Sequence, residues 1–267
     1  MKKTAWLLVL TVLCCARAWA GECFAIYGDS RTNHAVHRRV VEGIIKTDPK
    51  AVFLVGDLVE QGQDPQEWAR FNQITAPITS ASKLYPLIGN HDLGGKRFQE
   101  NFELPNNEQW YSIEQDGILF IMLDDNSDLK QGSAQYAWFE ACLKARGEKA
   151  KFTVVMFHRP VFTTGSHAED EAGIKGILLP LFEKYKVSLV VNGHVHAYER
   201  LFVNGVYYVV TGGGGAPLSP QSRTVEYSQV YLPVYHFCQL CPQEDRLAIR
   251  ALDLDGRVID QFFVPKR

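Results

Sequence analysis

Short apolar runs alternate with amphipathic stretches over most of this 267-residue chain, and the alternation predicts strands separated by helices. Buried strands are predicted at residues 24–27, 51–55, 84–88, 152–157 and 187–191. Helices are predicted where apolar residues recur at helical spacing, at 36–45, 136–143 and 173–185, the last kinked or restarted at Pro180. The pattern favours a mixed α/β fold.

The pattern changes after Arg200, where apolar runs are joined by tight turns. Strands are predicted at 201–203, 206–211, 247–252 and 258–264. The dipeptides Asn204-Gly205 and Asp255-Gly256 accept positive φ and therefore indicate hairpins. Since no repeat, linker or change of composition divides the chain, we expect one compact domain over residues 21–267.

The first twenty residues have the pattern of a cleavable secretory signal. Lys2 and Lys3 precede an apolar run over 5–15, and the small residues of Ala18-Trp19-Ala20 suit cleavage after Ala20. A membrane anchor is the alternative, but the apolar run is shorter than the roughly 20 residues that a spanning helix needs. We expect a secreted or periplasmic protein that begins at Gly21 and keeps no stable membrane anchor. The small net charge of −2 and the lack of a basic cluster do not predict a nucleic-acid partner.

Four cysteines lie beyond the predicted signal, in a chain expected to reach a compartment that permits disulfides. They are Cys23, Cys142, Cys238 and Cys241. Four cysteines allow three pairings. Cys142 falls on the apolar face of a predicted helix, where a small buried thiol is expected. Cys238 and Cys241 could close a short disulfide loop, for which we expect a structural role.

Potential metal ligands follow five of the apolar runs, at the point where each predicted strand ends. They are Asp29, Asp57, Asn90 with His91 and Asp92, His158, and His194 with His196. In open α/β sheets, the loops beyond the carboxyl ends of the strands converge, and ligands bind there. We therefore expect these side chains to form one site.

The residue types suit a pair of metal ions. Hard or borderline cations take oxygen and imidazole ligands, and a shared carboxylate can bridge two of them. His194 and His196 lie two residues apart, so an extended backbone places both rings on one side. Gly-Asp alone is a common turn, and a lone His158 is more often a satisfied buried histidine. The ordered combination, rather than any single motif, predicts a dimetal site.

The ordered blocks Asp29, Gly56-Asp57, Gly89-Asn90-His91-Asp92, His158 and Gly193-His194-Val195-His196 resemble the signature of the calcineurin-like metallophosphoesterases. The segments 193–200 and 209–217 look particularly like the purple acid phosphatase branch. The resemblance covers about residues 22–265. It implies a four-layer αββα fold, in which a β-sandwich of mixed sheets is flanked by helices. It also implies metal-dependent hydrolysis of a small-molecule phosphate ester.

The resemblance further implies two ligand sets and a proton donor. One metal would be held by Asp29, Asp57 and His196, and the other by Asp57, Asn90, His158 and His194. The metals are expected to be divalent or trivalent ions (Fe, Mn, Zn or Mg), with an activated hydroxide as the nucleophile. His91 would lie outside the ligands, where it could protonate the leaving group or stabilise charge on phosphorus oxygens. Asp92 would orient His91.

Two positions depart from the family's patterns. Many relatives have His two residues after the first Asp, where this chain has Arg31, and purple acid phosphatases have Tyr three residues after the second, where it has Glu60. Arg31 is expected to bind a phosphate oxygen or to form a surface ion pair. Glu60 is expected to ligate the first metal or to be solvated. By resemblance, His167 is a candidate for contact with the substrate phosphate.

Two other functions stay open at this point. The motifs do not separate a phosphodiesterase from a phosphomonoesterase. A metal-binding module that has lost catalysis is the rival from another class, and the retained His91 argues against it because binding a metal does not require that residue. His34, His37 and His236 have no motif support and are expected at the surface or in packing.

Overall fold

The computed structural model describes residues 22–105, 109–147 and 149–266, so the predicted signal segment lies outside the described residues. The strands are β1 (Phe24–Tyr27), β2 (Ala51–Val55), β3 (Lys83–Leu87), β4 (Tyr111–Gln115), β5 (Ile118–Met122), β6 (Phe152–Met156), β7 (Leu189–Asn192), β8 (Tyr198–Val203), β9 (Val206–Thr211), β10 (Ser228–Leu232), β11 (His236–Pro242), β12 (Arg246–Asp253) and β13 (Val258–Pro265). The helices are α1 (His34–Ile45), α2 (Pro65–Ala81), α3 (Arg97–Asn101), α4 (Ala134–Cys142) and α5 (Lys175–Lys184), and a π-helical turn at Leu143–Gly147 extends α4.

The strands form two mixed sheets. The six-stranded sheet has the order β13-β12-β11-β1-β2-β3, and the seven-stranded sheet has the order β10-β8-β9-β7-β6-β5-β4. In the first sheet β1, β2 and β3 are parallel, and in the second β5, β6, β7 and β9 are parallel. Parallel neighbours end at the same edge, so the loops after β1, β2 and β3 share one edge and those after β6 and β7 share another.

The two sheets pack face to face, and alternation along β5 shows how the layers are made. Phe120 lies in the core between the sheets, with its ring centroid 5.0 Å from that of Phe24 and 4.5 Å from that of Phe53. Its neighbours Leu119 and Ile121 point to the opposite face. There they join a second cluster that includes residues of α4 and α5.

Helices cover both outer faces. Phe139 of α4 and Phe182 of α5 lie on the seven-stranded sheet, with their ring centroids 6.3 Å apart. On the other side α1 contacts β11, and α2 contacts β3. The predicted four-layer αββα sandwich of mixed sheets is therefore confirmed.

The disulfide joins Cys23 to Cys241, so the predicted short loop between Cys238 and Cys241 is wrong. Cys238 and Cys241 both lie on β11, where side chains three positions apart point to opposite faces of the sheet. Phe24 of β1 pairs with Leu240 of β11, and this register places Cys23 beside Cys241. Cys238 is a buried free thiol, as is Cys142, whose predicted burial is confirmed.

Most predicted elements are present with small shifts of their ends. The strands at 24–27 and 51–55 match, and the strand predicted at 84–88 begins and ends one residue earlier. Asn204 and Gly205, both with positive φ, connect β8 and β9 as a hairpin. The helices α2 and α3 and the strands β4, β5, β10 and β11 were not predicted.

The three histidines without motif support have the roles expected of packing or surface residues. His37 is buried against the hydroxyl of Tyr27 at 3.0 Å, and His236 is buried against Thr211 Oγ1 at 3.0 Å. His34 is partly exposed beside Arg70. Within the described ranges, no helix combines the length and the apolar character needed to cross a membrane.

Candidate metal centre

The loops that carry the predicted ligands meet where the edges of the two sheets approach each other. Asp29 N donates to Gly56 O at 2.9 Å, which joins the loop after β1 to the loop after β2. Gly193 N donates to His158 O at 3.0 Å, which joins the loops after β6 and β7. Asp29 connects the two sheets, because its carboxylate accepts the His194 N–H at 3.0 and 3.1 Å.

The backbone at this meeting point is unusual. Asp29 (φ 58°), Asp57 (φ 54°) and His194 (φ 68°) all have left-handed conformations, which residues with a Cβ rarely adopt. Two glycines, Gly89 before Asn90 and Gly193 before His194, explain how the loops come so close. A Cβ on Gly89 would lie 2.2 Å from Asp57 N, and one on Gly193 would lie 2.6 Å from Asp29 Oδ2. Glycine therefore permits the close approach of the loops at both positions.

The carboxylate of Asp57 lies at the centre of the cluster. Its Oδ1 accepts the backbone N–H of His91 at 3.0 Å and lies 3.2 Å from His158 Nε2. Its Oδ2 lies 3.4 Å from Arg31 Nε and 4.0 Å from His91 Nε2. Oδ1 therefore lies toward His158, and Oδ2 lies toward Arg31.

Three histidines hold one ring nitrogen against a backbone carbonyl. The Nδ1 atoms of His158, His196 and His91 lie 2.8 Å from Val55 O, 2.8 Å from Pro217 O and 3.0 Å from Glu60 O. A carbonyl can only accept, so each Nδ1 carries the proton. Each Nε2 is then free to act as a base or as a metal ligand.

The donor set fits metal ions. Ligand atoms of Asp57, His158 and His194 all lie within 4.8 Å of one another. With its proton on Nδ1, His158 presents an acceptor nitrogen to a carboxylate oxygen of Asp57, a contact that is favourable only when a proton or a metal cation lies between them. Asn90 Oδ1 is also buried without a hydrogen-bond partner among the described residues. Such orphaned acceptors are rare, and a cation would satisfy them.

Two of the pKa shifts show the same preference for positive charge, whereas burial lowers the pKa of His194 to about 2 and that of His196 to about 4. Burial raises the pKa of Asp29 to about 8, although the charge of His158 opposes that shift. Burial lowers the pKa of His158, but attraction to Asp57 and Asp29 outweighs burial and raises it to about 10. The carboxyl groups of Asp57 and Asp29 thus favour positive charge at this point.

Asp92 does not orient His91, so this expectation is wrong. The buried Asp92 carboxylate accepts the N–H groups of Leu58 at 2.8 Å, Val59 at 3.2 Å and Gly89 at 2.8 Å, and so ties the loop after β2 to the loop after β3. The His91 ring is oriented by the carbonyl of Glu60. Backbone donors compete for a buried carboxylate because leaving them unpaired is costly.

Arg31 and Glu60, the two departures from the family pattern, contact each other. Arg31 Nη1 lies 2.5 Å from Glu60 Oε2, and Arg31 Nη2 lies 3.4 Å from His196 Nε2. Glu60 is therefore in an ion pair, and its ligation of a metal stays a prediction. In this ion pair, 13% of the Arg31 side chain and 36% of the Glu60 side chain are exposed.

A loop after β6 closes one side of the site. The His167 ring centroid lies 4.2 Å from that of His194 and 6.3 Å from that of His196, so the structure places His167 beside the predicted ligands. Glu171 of the same loop contacts His194 Nε2 and was not predicted. Its only sequence signal is its position four residues after His167. The carboxylate of Glu199 accepts hydrogen bonds from the backbone N–H and the hydroxyl of Thr164 and so holds this loop in place.

Comparisons with known proteins find relatives that are named as purple acid phosphatases. It is 30% identical to "Probable purple acid phosphatase 20" of Arabidopsis thaliana over 66% of this chain and 46% of that protein. It is 25% identical to "Probable inactive purple acid phosphatase 1" of Arabidopsis thaliana over 86% of this chain and 45% of that protein. The chain thus spans less than half the length of these two relatives.

A solved structure and a family model complete the comparison. The fold matches a purple acid phosphatase from yellow lupin (Lupinus luteus) seeds with a TM-score of 0.81 and 23% sequence identity, covering 91% of this chain and 53% of that one. The sequence model described as calcineurin-like phosphoesterase matches residues 24–198, the segment that carries every predicted metal ligand. Because that match spans more than half of its length, the chain belongs to the calcineurin-like phosphoesterase family.

Proposed function

We propose that this protein hydrolyses phosphate esters with two bound metal ions. One observation carries the proposal: ligand atoms of Asp57, His158 and His194 converge within 4.8 Å, beside the orphaned Asn90 Oδ1. Carboxylate, amide and imidazole donors suit Fe, Mn, Zn or Mg ions. Membership of the calcineurin-like phosphoesterase family supports the reaction class.

The ligands divide into two sets that share Asp57. The first set is Asp29, Asp57 and His196, and the second is Asp57, Asn90, His158 and His194. Glu60 stays a predicted ligand of the first set, and it must release Arg31 to serve there. Two metal ions would supply Lewis-acid stabilisation of the phosphoryl oxygens and a water of lowered pKa that can act as the nucleophile.

His91 is the proposed proton donor. Its Nδ1–H is held by the carbonyl of Glu60, so Nε2 is the ring nitrogen through which it can exchange a proton with the substrate. That atom lies 4.0 Å from Asp57 Oδ2, on the side of the ring that faces the site. From there His91 can protonate a leaving alkoxide or stabilise a phosphoryl oxygen. Arg31 and His167 line the same space and are proposed to contact the phosphate group.

The proposed substrate is a small phosphate ester. Both relatives are named as purple acid phosphatases, which favours a monoester, and a phosphodiesterase is the alternative within the class. The word "inactive" in the name of one relative keeps an impaired metal-binding module as the rival. The presence of His91 supports catalysis, because metal binding does not need it.

Export to the periplasm or the outside of the cell is part of the proposal. The Cys23–Cys241 disulfide supports it, because structural disulfides form and persist in oxidising compartments. Mass spectrometry of the exported protein should show Gly21 as its first residue, and a chain that keeps residues 2–20 would contradict the predicted cleavage.

The test is a substrate and metal panel. We expect the purified protein to hydrolyse an aryl phosphate with at least one of the four candidate metals. This turnover should stop on chelation and recover when metal is restored. The matching bis-aryl phosphate, assayed in parallel, distinguishes a diesterase from a monoesterase. Turnover that survives chelation, or no turnover of either ester with any of the metals, would refute the proposal.

A further inference from the structure

The guanidinium of Arg31 lies inside one of the two proposed ligand sets. Its Nε is 3.4 Å from Asp57 Oδ2, and its Nη2 is 3.4 Å from His196 Nε2. Both atoms belong to residues of the first set. A permanent positive charge therefore already occupies the surroundings of the first metal position, because arginine does not lose its proton in proteins.

The charge of Arg31 is fixed in place by the other departure from the family pattern. Glu60 Oε2 lies 2.5 Å from Arg31 Nη1, so the residues at the two positions where relatives carry a fourth ligand are paired with each other. Burial of the Arg31 side chain, with 13% of it exposed, limits screening by solvent.

Apart from Asp57, which the two sets share, no member of the second ligand set forms a hydrogen bond or ion pair with an arginine side chain among the described residues. Arg159, which follows His158 in the chain, bonds Asn126 at 2.9 Å and Asp125 at 3.5 Å. The ligand atoms of Asp57, His158 and His194 converge within 4.8 Å, whereas Asp29 and His196 form no comparable group with a third ligand in the part of the chain that the structure describes. The second set is thus the more convergent of the two.

We infer that the two metal positions are unequal: the second set binds its ion first and tightly, and Arg31 keeps the first position weak. An ion that enters among Asp29, Asp57 and His196 must push the guanidinium away from Asp57 and His196 and then remain close to it. When metal is scarce, the protein holds one ion, and Arg31 supplies the positive charge on the other side of Asp57. This inference rests on the proposed metal-dependent function.

The test is a metal titration that does not depend on activity. The full chain is stripped with a chelator and titrated with Mn²⁺ by isothermal titration calorimetry, and EPR distinguishes an isolated ion from a coupled pair. We expect one tight ion and a second that binds at least roughly tenfold more weakly. In Arg31→Gln the weaker ion should bind roughly 10- to 100-fold more tightly, with little change in the tighter one.

Two further variants keep the result interpretable. Arg31→Lys retains the charge but not the three contacts, so we expect an intermediate affinity for the weaker ion. Arg159→Gln removes a cation of similar exposure on the other side of the site and should leave the weaker ion unchanged. Circular dichroism and the midpoint of thermal unfolding confirm that each variant is folded.

The outcomes separate the inference from the proposed function. Two ions bound with equal affinity by the unmodified chain, or no gain for the weaker ion in folded Arg31→Gln and Arg31→Lys, would overturn the inference and leave the proposed function standing. No binding of any divalent metal would overturn both.

Discussion

Glu199 is buried, and replacing one oxygen of its carboxylate tests how much its hydrogen bonds stabilise the protein. Its side chain is fully buried, and the carboxylate accepts four hydrogen bonds from three residues. The donors are Thr163 Oγ1 at 2.9 Å, Thr164 N at 3.0 Å, Thr164 Oγ1 at 2.5 Å and Ser228 Oγ at 2.7 Å. An ionised carboxylate offers about four lone-pair sites, so the acceptor is saturated. Through Thr163 and Thr164 it fixes the loop that carries His167.

Glu199→Gln changes one oxygen into an NH₂ group with almost no change of volume. The amide then presents donors where the Thr163 hydroxyl and the Thr164 N–H also donate. Two charge-assisted hydrogen bonds at about 1.5–3 kcal/mol each are at stake, and rotation of the Thr163 hydroxyl recovers part of the loss. We expect a loss of roughly 2–4 kcal/mol in the free energy of unfolding, or about 5–15 °C in the midpoint.

Urea unfolding followed by circular dichroism measures this difference. The matched control is Glu183→Gln, an exposed glutamate that bonds Asn204, and it should change the free energy of unfolding by less than about 0.5 kcal/mol. If Glu199→Gln were as stable as the unmodified protein within that margin, the four hydrogen bonds would not stabilise the loop, and the reasoning would be wrong.

Three further predictions address the site, the disulfide and a buried histidine. Asp57→Ala should lose metal and turnover together, whereas His91→Ala should keep its metal and lower kcat by about 10²- to 10⁴-fold. Metal analysis with an alkyl phosphate assay decides, with the exposed Asp255→Ala as the control; metal loss in His91→Ala would contradict the assignment. Cys23→Ser with Cys241→Ser opens a link across 218 residues and should cost about 3–5 kcal/mol, seen as a lower urea midpoint that reducing agent no longer changes. An unchanged midpoint would count against this. Burial lowers the pKa of His236 to about 4, so the unfolded chain takes up the proton first and stability falls from about pH 6.5 to about pH 4. His236→Gln should remove roughly 3 kcal/mol of that loss in unfolding measured at several pH values, and an unaltered pH dependence would exclude the mechanism.

The sequence predicted those parts of the fold where one physical signal dominates. Fully buried parallel strands such as β1 and β2 are continuous apolar runs, and the αββα arrangement followed from the resemblance. β10 was missed because it is only half-buried and therefore lacks a strong apolar pattern. α2 was missed although Trp68, Phe71 and Ile78 recur at helical spacing. β5 is apolar throughout, so its signal was present and overlooked.

The candidate site shows the same division. Strand ends fix the positions of Asp29, Asp57 and His158 within narrow limits, so their convergence could be expected from the order of the motifs. The contact of Glu171 with His194 and the Arg31–Glu60 ion pair depend on the conformations of the loops that carry these side chains. The spacing of residues along the chain does not predict those conformations. Asp92 illustrates the limit, because its neighbour in sequence, His91, is not its partner in the structure.

The same hydrogen bonds offset both the backbone strain at the site and its buried negative charge. Three left-handed residues at about 1–3 kcal/mol each, together with two carboxylates buried side by side, are costly for the folded state. The loops persist because each carboxylate is also a backbone acceptor: Asp29 receives the His194 N–H, and Asp57 receives that of His91. These bonds fix the carboxylate oxygens before any cation arrives, so little ordering remains for the binding step. Arg31 then acts on a site that is already rigid. A cation fixed there discriminates between the two positions by charge and not by flexibility, and for this reason its removal should change one affinity and leave the other nearly untouched.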